Sequence, residues 1–323
     1  MNRSLGIALA SLLACVGTAH AQSYPQKPVR MIIPFAPGGA SDFVGRILQS
    51  KLPDFLGQPL VIENRAGASG NIGVEVAAKS PADGYNIFLG NIGTIAINHA
   101  VIPNMSVNPA KDFIAVTQVA DVPGILVAHP GVAANSVAEF VALAKAKPGA
   151  LNFASPGSGS LNRLEMESFM KLAGISMVHV PYKGGAGPAV VGLIGGETQV
   201  LFVTLVSASN FVKSGKLKAF GVTTTARVEG LPQVPTLVEA GFPEMVSSSW
   251  QGVFVPAGTP RAAVMRLHAD FVKTVQTPEV KQRYAGGGAL VTYSKSPEEF
   301  AAYVVAEMAR WGKIAKDVGA SVD

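Results

Sequence analysis

Short hydrophobic runs alternate with segments of helical periodicity along almost the whole chain. Val29–Ile33 is typical of a buried strand, and hydrophobic residues recur at helical spacing from about Ser41 to Phe55. Strands that keep alternating with helices indicate an α/β fold with mainly parallel sheets. Further strands are predicted at 60–62, 86–89, 124–128, 151–154, 177–180, 199–203, 217–222 and 252–255, and further helices at 72–78, 137–146, 161–172, 188–194, 261–275 and 297–318.

The length of the chain and two breaks in this pattern predict two lobes. The chain has 323 residues, which is beyond the size at which one core usually keeps growing. The turn-rich segment 121–124 and the segment 241–250 are where the chain can cross between lobes, and 121–124 and 247–250 are the hinge candidates. We predict a first lobe over 22–123, a second lobe over 124–248 and a return to the first lobe over 249–323.

The N-terminus has the pattern of an export signal. One arginine precedes an apolar stretch from Leu5 to Val16, and Ala19-His20-Ala21 is typical of a signal-peptidase site. Residues 1–21 are therefore predicted to be a signal peptide, and the mature protein to be periplasmic. The alternative is a lipoprotein anchored at Cys15, because the four residues ending there loosely resemble a lipobox. Cys15 is the only cysteine, so cleavage after Ala21 leaves no disulfide or thiolate chemistry.

Composition and charge exclude several functional classes. Hydrophobic residues make up 48% of the chain and charged residues 15%, which excludes a disordered protein. The formal net charge is +5, but the basic residues are scattered and form no stripe with aromatic residues. Nucleic acid is therefore not an expected partner, whereas small anions are attracted. The four histidines after residue 21 lie far apart and no cofactor motif is complete, so we predict no metal, no cofactor and no catalytic residue.

A glycine-containing loop follows the first predicted strand and opens the first helix. Its glycines let the backbone approach a ligand closely, and amides of a first helical turn are unpartnered and partly positive. The loop can thus hold a carboxylate without a basic side chain, although an ordinary strand-to-helix turn fits the residues equally well. The candidate ligand-binding residues here are Phe35, Pro37, Gly38, Gly39, Ala40 and Asp42.

A second such loop, Ser155-Pro156-Gly157-Ser158-Gly159-Ser160, follows the strand at 151–154. It has more hydroxyls than a turn requires, since Ser160 alone would cap the helix. Arg163, one turn later, either adds a bidentate donor or is simply solvated. One cradle per predicted lobe indicates an anion gripped from both sides. Asn91 and Thr94 after the third strand would add another wall, as would the loop 182–187.

These motifs resemble those of the Bordetella-uptake-gene proteins, the solute-binding subunits of tripartite tricarboxylate transporters. The resemblance spans almost the whole chain from Tyr24, and the motifs that carry it are P-F-A-P-G-G-A-S-D at 34–42, E-N-R-A-G-A-S-G-N-I-G at 63–73, V-P-Y-K-G-G at 180–185, L-P-Q-V-P-T-L-V-E-A-G at 231–241 and S-W-Q-G-V-F-V-P-A-G-T-P at 249–260. It implies a two-lobed, type II-like periplasmic-binding fold with two mixed, mainly parallel sheets, which closes on its ligand like a flytrap.

The same resemblance implies the ligand and the partners. One carboxylate group would lie in the central cleft between residues 35–40 and 155–160, and the loaded protein would deliver its ligand to a two-subunit membrane permease. Some members instead present the ligand to a sensor kinase. We expect a monomer.

Two positions depart from the family pattern. Arg163 stands where members usually have a histidine, and Val203-Thr204 stands where they commonly have an Asp-Asn-type pair. The less polar wall at Thr204 argues against an ammonium-bearing ligand, so a dicarboxylate or an aromatic carboxylate is expected. A serine hydrolase acting through the 155–160 loop is the rival class. It needs a base near the serine, and no nearby part of the sequence supplies one.

Overall fold

Strands and helices alternate through most of the chain. The computed structural model describes residues 24–102, 105–317 and 319, so the predicted signal peptide and Cys15 lie outside the described residues. The elements are, in order, β1 (Val29–Ile33), α1 (Ala40–Lys51), α2 (Pro53–Leu56), β2 (Leu60–Asn64), α3 (Asn71–Ala78), β3 (Asn86–Asn91), α4 (Asn98–Val101), α5 (Pro109–Asp112), β4 (Phe113–Ala128), α6 (Val137–Ala146), β5 (Asn152–Ser155), α7 (Leu161–Ala173), β6 (Val178–Pro181), α8 (Ala186–Ile194), β7 (Val200–Thr204), α9 (Leu205–Lys213), β8 (Lys218–Val222), β9 (Ser248–Pro256), α10 (Arg261–Gln276), α11 (Pro278–Gly287) and α12 (Pro297–Asp317).

The strands form one continuous sheet in the order β2-β1-β3-β9-β4-β7-β5-β6, with β8 also paired to β4. β1 pairs in parallel with β2 and β3, and β5 with β6 and β7. The pairings β3–β9, β4–β7, β4–β8 and β4–β9 are antiparallel. The α/β fold class is confirmed. The two mixed sheets expected of a two-lobed fold are the two halves of one continuous mixed sheet, which β4 joins. Parallel and antiparallel pairings are equally frequent in it, so it is not mainly parallel.

The long strand β4 passes from one half of the sheet to the other. It pairs with β9 as far as Pro123 and with β7 from Gly124 onward. The partner changes at the predicted boundary between first and second lobe, and we keep those names for residues 24–123 with 249–317 and for residues 124–248. The prediction of a turn at 121–124 is wrong, since pairing with β9 up to Pro123 and with β7 at Gly124 holds this segment extended.

The sequence pattern did not predict four of the helices: the one-turn helices α4 and α5, and the longer helices α9 and α11. α9 has serine and asparagine among its nine residues, which are weak helix formers, and it follows β7 without a loop. α11 begins with Pro278 at its first position and is capped by Thr277, whose side chain accepts a hydrogen bond from the Val280 amide. That proline after a capping threonine is a helix-start signal which the periodicity alone does not show.

Each lobe has its own apolar core, and helix α7 of the second lobe also packs into the core of the first. Leu161 and Leu164 of α7 are buried in a cluster with first-lobe residues that include Ile92 and Trp250. The apolar contact at α7 means that the second lobe packs directly on the first.

Across the described ranges 24–102 and 105–317, none of the helices combines the length and apolarity that crossing a bilayer requires.

Candidate functional site

A cavity of about 50 Å³ lies between the two lobes, where loops follow the carboxyl ends of β1, β3, β5 and β7. Seven predicted site residues line it, namely Phe35, Gly39, Ala40, Asn91, Gly159, Ser160 and Thr204. The lining residues that the sequence analysis did not single out are Ser41, Ser69, Ile92, Gly93, Pro156, Leu161, Asn162, Ala186 and Ser249, of which Pro156 and Ala186 lie in the predicted loops. No lining residue is charged, so any charge in this cavity must be balanced by dipoles.

Four helices begin at the cavity wall. Ala40, Leu161, Ala186 and Leu205 are the first residues of α1, α7, α8 and α9, and each of these residues or its N-cap lines the cavity. The N-caps of α1 and α8 are glycines without a side chain, and the Thr204 side chain makes no capping hydrogen bond to α9. Because the first amides of a helix are partly positive, the wall is suited to an anion.

The first loop, residues 34–39, is held by a buried carboxylate. Asp42 Oδ2 accepts hydrogen bonds from the Gly38 amide at 3.2 Å and from Arg46 Nε at 2.9 Å. Asn64 Nδ2 donates to the Phe35 carbonyl oxygen at 2.8 Å and to Asp42 Oδ1 at 3.3 Å. Pro37, Gly38 and Asp42 do not line the cavity. In this arrangement they shape the loop.

The second loop, residues 155–160, is held by neutral groups and one arginine. Ser155 Oγ accepts the Gly157 amide at 3.2 Å, and Gly157 has a φ of +133° that favours glycine. Arg163 Nη1 donates to the Ser158 carbonyl oxygen at 3.1 Å, and its Nε lies 3.7 Å from Glu167 Oε1. The cavity is not lined by the predicted site residues Ser155, Gly157, Ser158 and Arg163.

A histidine does lie next to this loop, contrary to the expectation that no base is near it. Ser155 Oγ is 2.6 Å from His179 Nε2, a pair formed because β5 and β6 lie side by side. Ser155 is fully buried and does not line the cavity. Burial, with a contribution from Arg163, lowers the pKa of His179 to about 4. The pair therefore holds the loop and has no access to a substrate in the cavity.

A polar network forms one side of the cavity. Asn91 Nδ2 donates to Ser41 Oγ at 3.4 Å, and Ser41 Oγ donates to Gln251 Oε1 at 2.7 Å. Gln251 Nε2 in turn donates to Ser249 Oγ at 3.1 Å. Asn91 is itself fixed by Thr94, whose amide donates to Asn91 Oδ1 at 3.0 Å. The β3–β9 pairing places Asn91 opposite Gln251, a contact that the sequence alone does not indicate.

The lobes touch each other around the cavity. The Ala36 amide donates to the Gly184 carbonyl oxygen at 3.1 Å, and the Gly159 amide donates to Ser69 Oγ at 3.3 Å. Gly159 is packed so closely that a Cβ there would lie 1.8 Å from Asn98 Oδ1. The structure therefore has the closed arrangement, with both loops facing one cavity.

The sequence and the fold both have known relatives. Residues 44–320 match the family described as the tripartite tricarboxylate transporter family receptor. Protein BugT of Bordetella pertussis is 35% identical over 326 residues, which cover 100% of this chain and 99% of BugT. The match extends over nearly the full length of both proteins.

Two solved structures are similar in both fold and sequence. R. palustris Rpa4515 with adipate has a TM-score of 0.88 and 33% identity, covering 92% of this chain and 99% of Rpa4515. MatC from Rhodopseudomonas palustris with bound malate has a TM-score of 0.85 and 31% identity, covering 90% of this chain and 99% of MatC. The chain thus has the α/β fold of periplasmic binding proteins.

Proposed function

The chain belongs to the tripartite tricarboxylate transporter receptor family, and from this premise we propose that it captures a dicarboxylate in the periplasm. As a member of that family it is a solute-binding receptor and not an enzyme, and it works with the membrane subunits of a transporter. The finer proposal concerns which carboxylate it binds and which residues hold it.

The four helix starts at one uncharged cavity carry this proposal. Each helix N-terminus is equivalent to about half an elementary positive charge, so four provide roughly two. A dicarboxylate would balance that charge, whereas an aromatic monocarboxylate would leave about half of it unmatched. The adipate and malate in the names of two similar structures are both dicarboxylates. An aromatic dicarboxylate would satisfy the same charge balance.

The proposed contacts are backbone amides and neutral side chains. We assign the amides at the starts of α1 and α7, near Ala40 and Leu161, to one carboxylate group, and those of α8 and α9 to the other. Asn91, Asn162 and Thr204 would add side-chain hydrogen bonds. In this assignment Arg163 supports the second loop and does not accept a second carboxylate.

Capture would follow from closure of the lobes. Only the closed arrangement directs both sets of helix starts at one ligand, so a bound dicarboxylate shifts the population towards closure. The loaded, monomeric protein would then dock on a two-subunit permease. Presentation to a sensor kinase is the alternative outcome, and uptake of radiolabelled ligand by cells with and without the permease separates the two.

Thermal unfolding of the purified protein with a panel of acids tests the ligand class. The panel contains malate, succinate, adipate, phthalate and benzoate, with adipamide as the uncharged control for adipate. At a hundredfold excess over Kd, a ligand that binds only the folded state stabilises it by about 2.7 kcal/mol, which raises the unfolding temperature by several degrees.

We expect at least one dicarboxylate to produce this shift and adipamide to produce none. Benzoate alone stabilising the protein would contradict the dicarboxylate assignment. No shift with any acid, in protein freed of co-purified ligand by unfolding and refolding, would contradict the carboxylate proposal as a whole.

A further inference from the structure

A buried carboxylate lies directly behind the cavity. Glu165, in the second turn of α7, is 3% exposed. Its Oε2 accepts a hydrogen bond from Asn162 Nδ2 at 2.7 Å, and Asn162 lines the cavity. Its Oε1 accepts a hydrogen bond from Ser247 Oγ at 2.5 Å. One side chain thus connects the wall of the cavity with the segment that leads into β9.

The same carboxylate lies where the chain crosses between the lobes. Ser247 immediately precedes β9, which returns the chain to the first lobe, and Gly124 is where β4 changes its partner from β9 to β7. A Cβ on Gly124 would lie 3.0 Å from Glu165 Oε1. Both crossings therefore pack against one carboxylate oxygen.

Thr223 ties the two crossings to each other beside this carboxylate. The Gly124 amide donates to Thr223 Oγ1 at 2.8 Å, and Thr223 Oγ1 donates to the Ser247 carbonyl oxygen at 2.7 Å. The Ser247 amide donates to the Thr223 carbonyl oxygen at 3.1 Å. Gly124, Glu165, Thr223 and Ser247 form one bonded unit, which we call the crossing knot. Ser247 and Thr223 do not line the cavity.

Helix α7 contacts the cavity, the core of the first lobe and the crossing knot. Asn162 faces the cavity, Leu161 and Leu164 pack into the first-lobe cluster, and Glu165 holds the crossing knot. A rotation of the lobes must change the direction in which the crossings leave the second lobe, and the knot fixes that direction. Hinge motion of this kind is absorbed by a few residues at the ends of elements.

We propose that Glu165 is a positioning residue that couples the cavity to the two lobe crossings and so sets how firmly the lobes close. The proposal rests on the proposed function for its biological meaning, since closure is the capture step. Its physical content does not depend on the ligand. Loss of the knot should loosen closure even in protein without ligand, because the crossings would no longer be held at one angle.

Hydrogen exchange of the two cross-lobe amides tests this directly. The Ala36 and Gly159 amides exchange when the lobes separate, because each donates its hydrogen bond to a residue of the opposite lobe. We expect Ser247→Ala to raise both exchange rates about tenfold, because a hydrogen bond to a buried carboxylate is lost. Glu165→Gln, which keeps the shape but replaces one accepting oxygen with a donating amide group, should raise them as well.

The matched control is Ser168→Ala, on the same helix and in the same small pocket as Glu165 and Ser247. It should change the exchange rates less than twofold. Unchanged Ala36 and Gly159 rates in Ser247→Ala would overturn the proposal. If Glu165→Gln fails to fold, the Ser247→Ala result still decides, because that variant removes a single hydroxyl.

A double-mutant cycle with adipate as the probe measures the coupling between two substitutions in their effect on Kd. A purely structural role of Glu165 would not produce such coupling. Asn162 and Ser247 each donate a hydrogen bond to Glu165. If the two residues acted independently, the effects of Asn162→Ala and Ser247→Ala on Kd would multiply. Coupling through Glu165 predicts a deviation of threefold or more, and this deviation should vanish in the Glu165→Gln background. Multiplicative effects would contradict the coupling. A wild-type protein that ignores adipate would count against the proposed ligand, while the exchange experiment would still test the knot.

Discussion

The two loops that face the cavity perform the same task with different chemistry. The first loop, 34–39, leads into a helix whose N-cap is Gly39 with no side-chain cap, and the buried charge of Asp42 holds it. The second loop, 155–160, leads into a helix capped by Ser160, and the Ser155–His179 pair holds it. Presenting helix amides to a ligand therefore does not require one particular set of side chains. It requires that hydrogen bonds from residues outside the cavity hold each loop in place.

The loops differ more in how closely the opposite lobe approaches them. At Gly39 a Cβ would lie 3.6 Å from Ala186 Cβ, an ordinary contact, and the φ of −93° is open to any residue. At Gly159 a Cβ would lie 1.8 Å from Asn98 Oδ1. At Gly159 glycine is thus a steric requirement, whereas at Gly39 there is room for a methyl group.

The largest expected effect comes from adding a methyl group at Gly159, with the same change at Gly39 as the comparison. Gly159→Ala should weaken dicarboxylate binding about a hundredfold, because Asn98 must move before the lobes can close and overpacking costs about 1–3 kcal/mol. Gly39→Ala should change Kd less than fivefold. Isothermal titration calorimetry with the best ligand of the panel measures both.

Equal losses of affinity in the two glycine variants would show that the loops approach the other lobe equally closely. Unfolding in urea provides the control, because Gly159→Ala should leave the stability of the open, ligand-free protein nearly unchanged. A large loss of stability would mean that the alanine disturbs the second lobe itself.

Removing the charge that braces the first loop should have the next largest effect. Asp42→Asn should lower the free energy of unfolding by about 1.5–3 kcal/mol, the usual contribution of hydrogen bonds to a charged group, and should also weaken ligand binding. Asp270→Asn is the matched control, since Asp270 is equally buried and accepts from Arg266 four residues away. It should lose similar stability without loss of affinity. Normal ligand affinity in Asp42→Asn would show that the hydrogen bonds of Asp42 stabilise the fold but do not affect ligand binding.

The Ser155–His179 pair, which holds the second loop, predicts that the free energy of unfolding depends on pH. The pKa of His179 is lowered to about 4 by burial and then by Arg163, whereas in the unfolded chain it is about 6.5. Between these values the unfolded chain binds more protons, so this contribution is present above pH 6.5 and is lost as the pH falls towards 4. Because the ring is partly exposed, we expect a loss of about 1–2 kcal/mol.

Urea unfolding at pH 7.5 and pH 5 measures this dependence, with His179→Gln as the comparison. Glutamine can still hydrogen-bond to Ser155 but does not titrate in this range, so the variant should lose less stability on acidification. The same slope in wild type and variant would mean that other groups cause the acid sensitivity.

The contrast between the loops also shows what the sequence can predict. Glycines, serines and strand-to-helix order are local, so both loops and seven of the cavity-lining residues followed from the sequence. The brace at His179 and the polar partner Gln251 did not, because they reach the site through pairing of β6 with β5 and of β9 with β3. Arg163 is the opposite case. Its spacing placed it near the site, but its side chain turns back to the Ser158 carbonyl.

The smallest expected effect concerns the cap that only the second loop has. Ser160 Oγ accepts the Arg163 amide at 3.2 Å, and Ser136 Oγ accepts the Glu139 amide at 3.2 Å at the start of α6, away from the cavity. Either serine replaced by alanine should cost about 1 kcal/mol of stability. Only Ser160→Ala should also change ligand affinity, by about threefold to tenfold, because it disturbs amides that face the ligand. If both variants left affinity unchanged, the start of α7 would be a plain capped helix, and the first loop would have to bind the carboxylate without it.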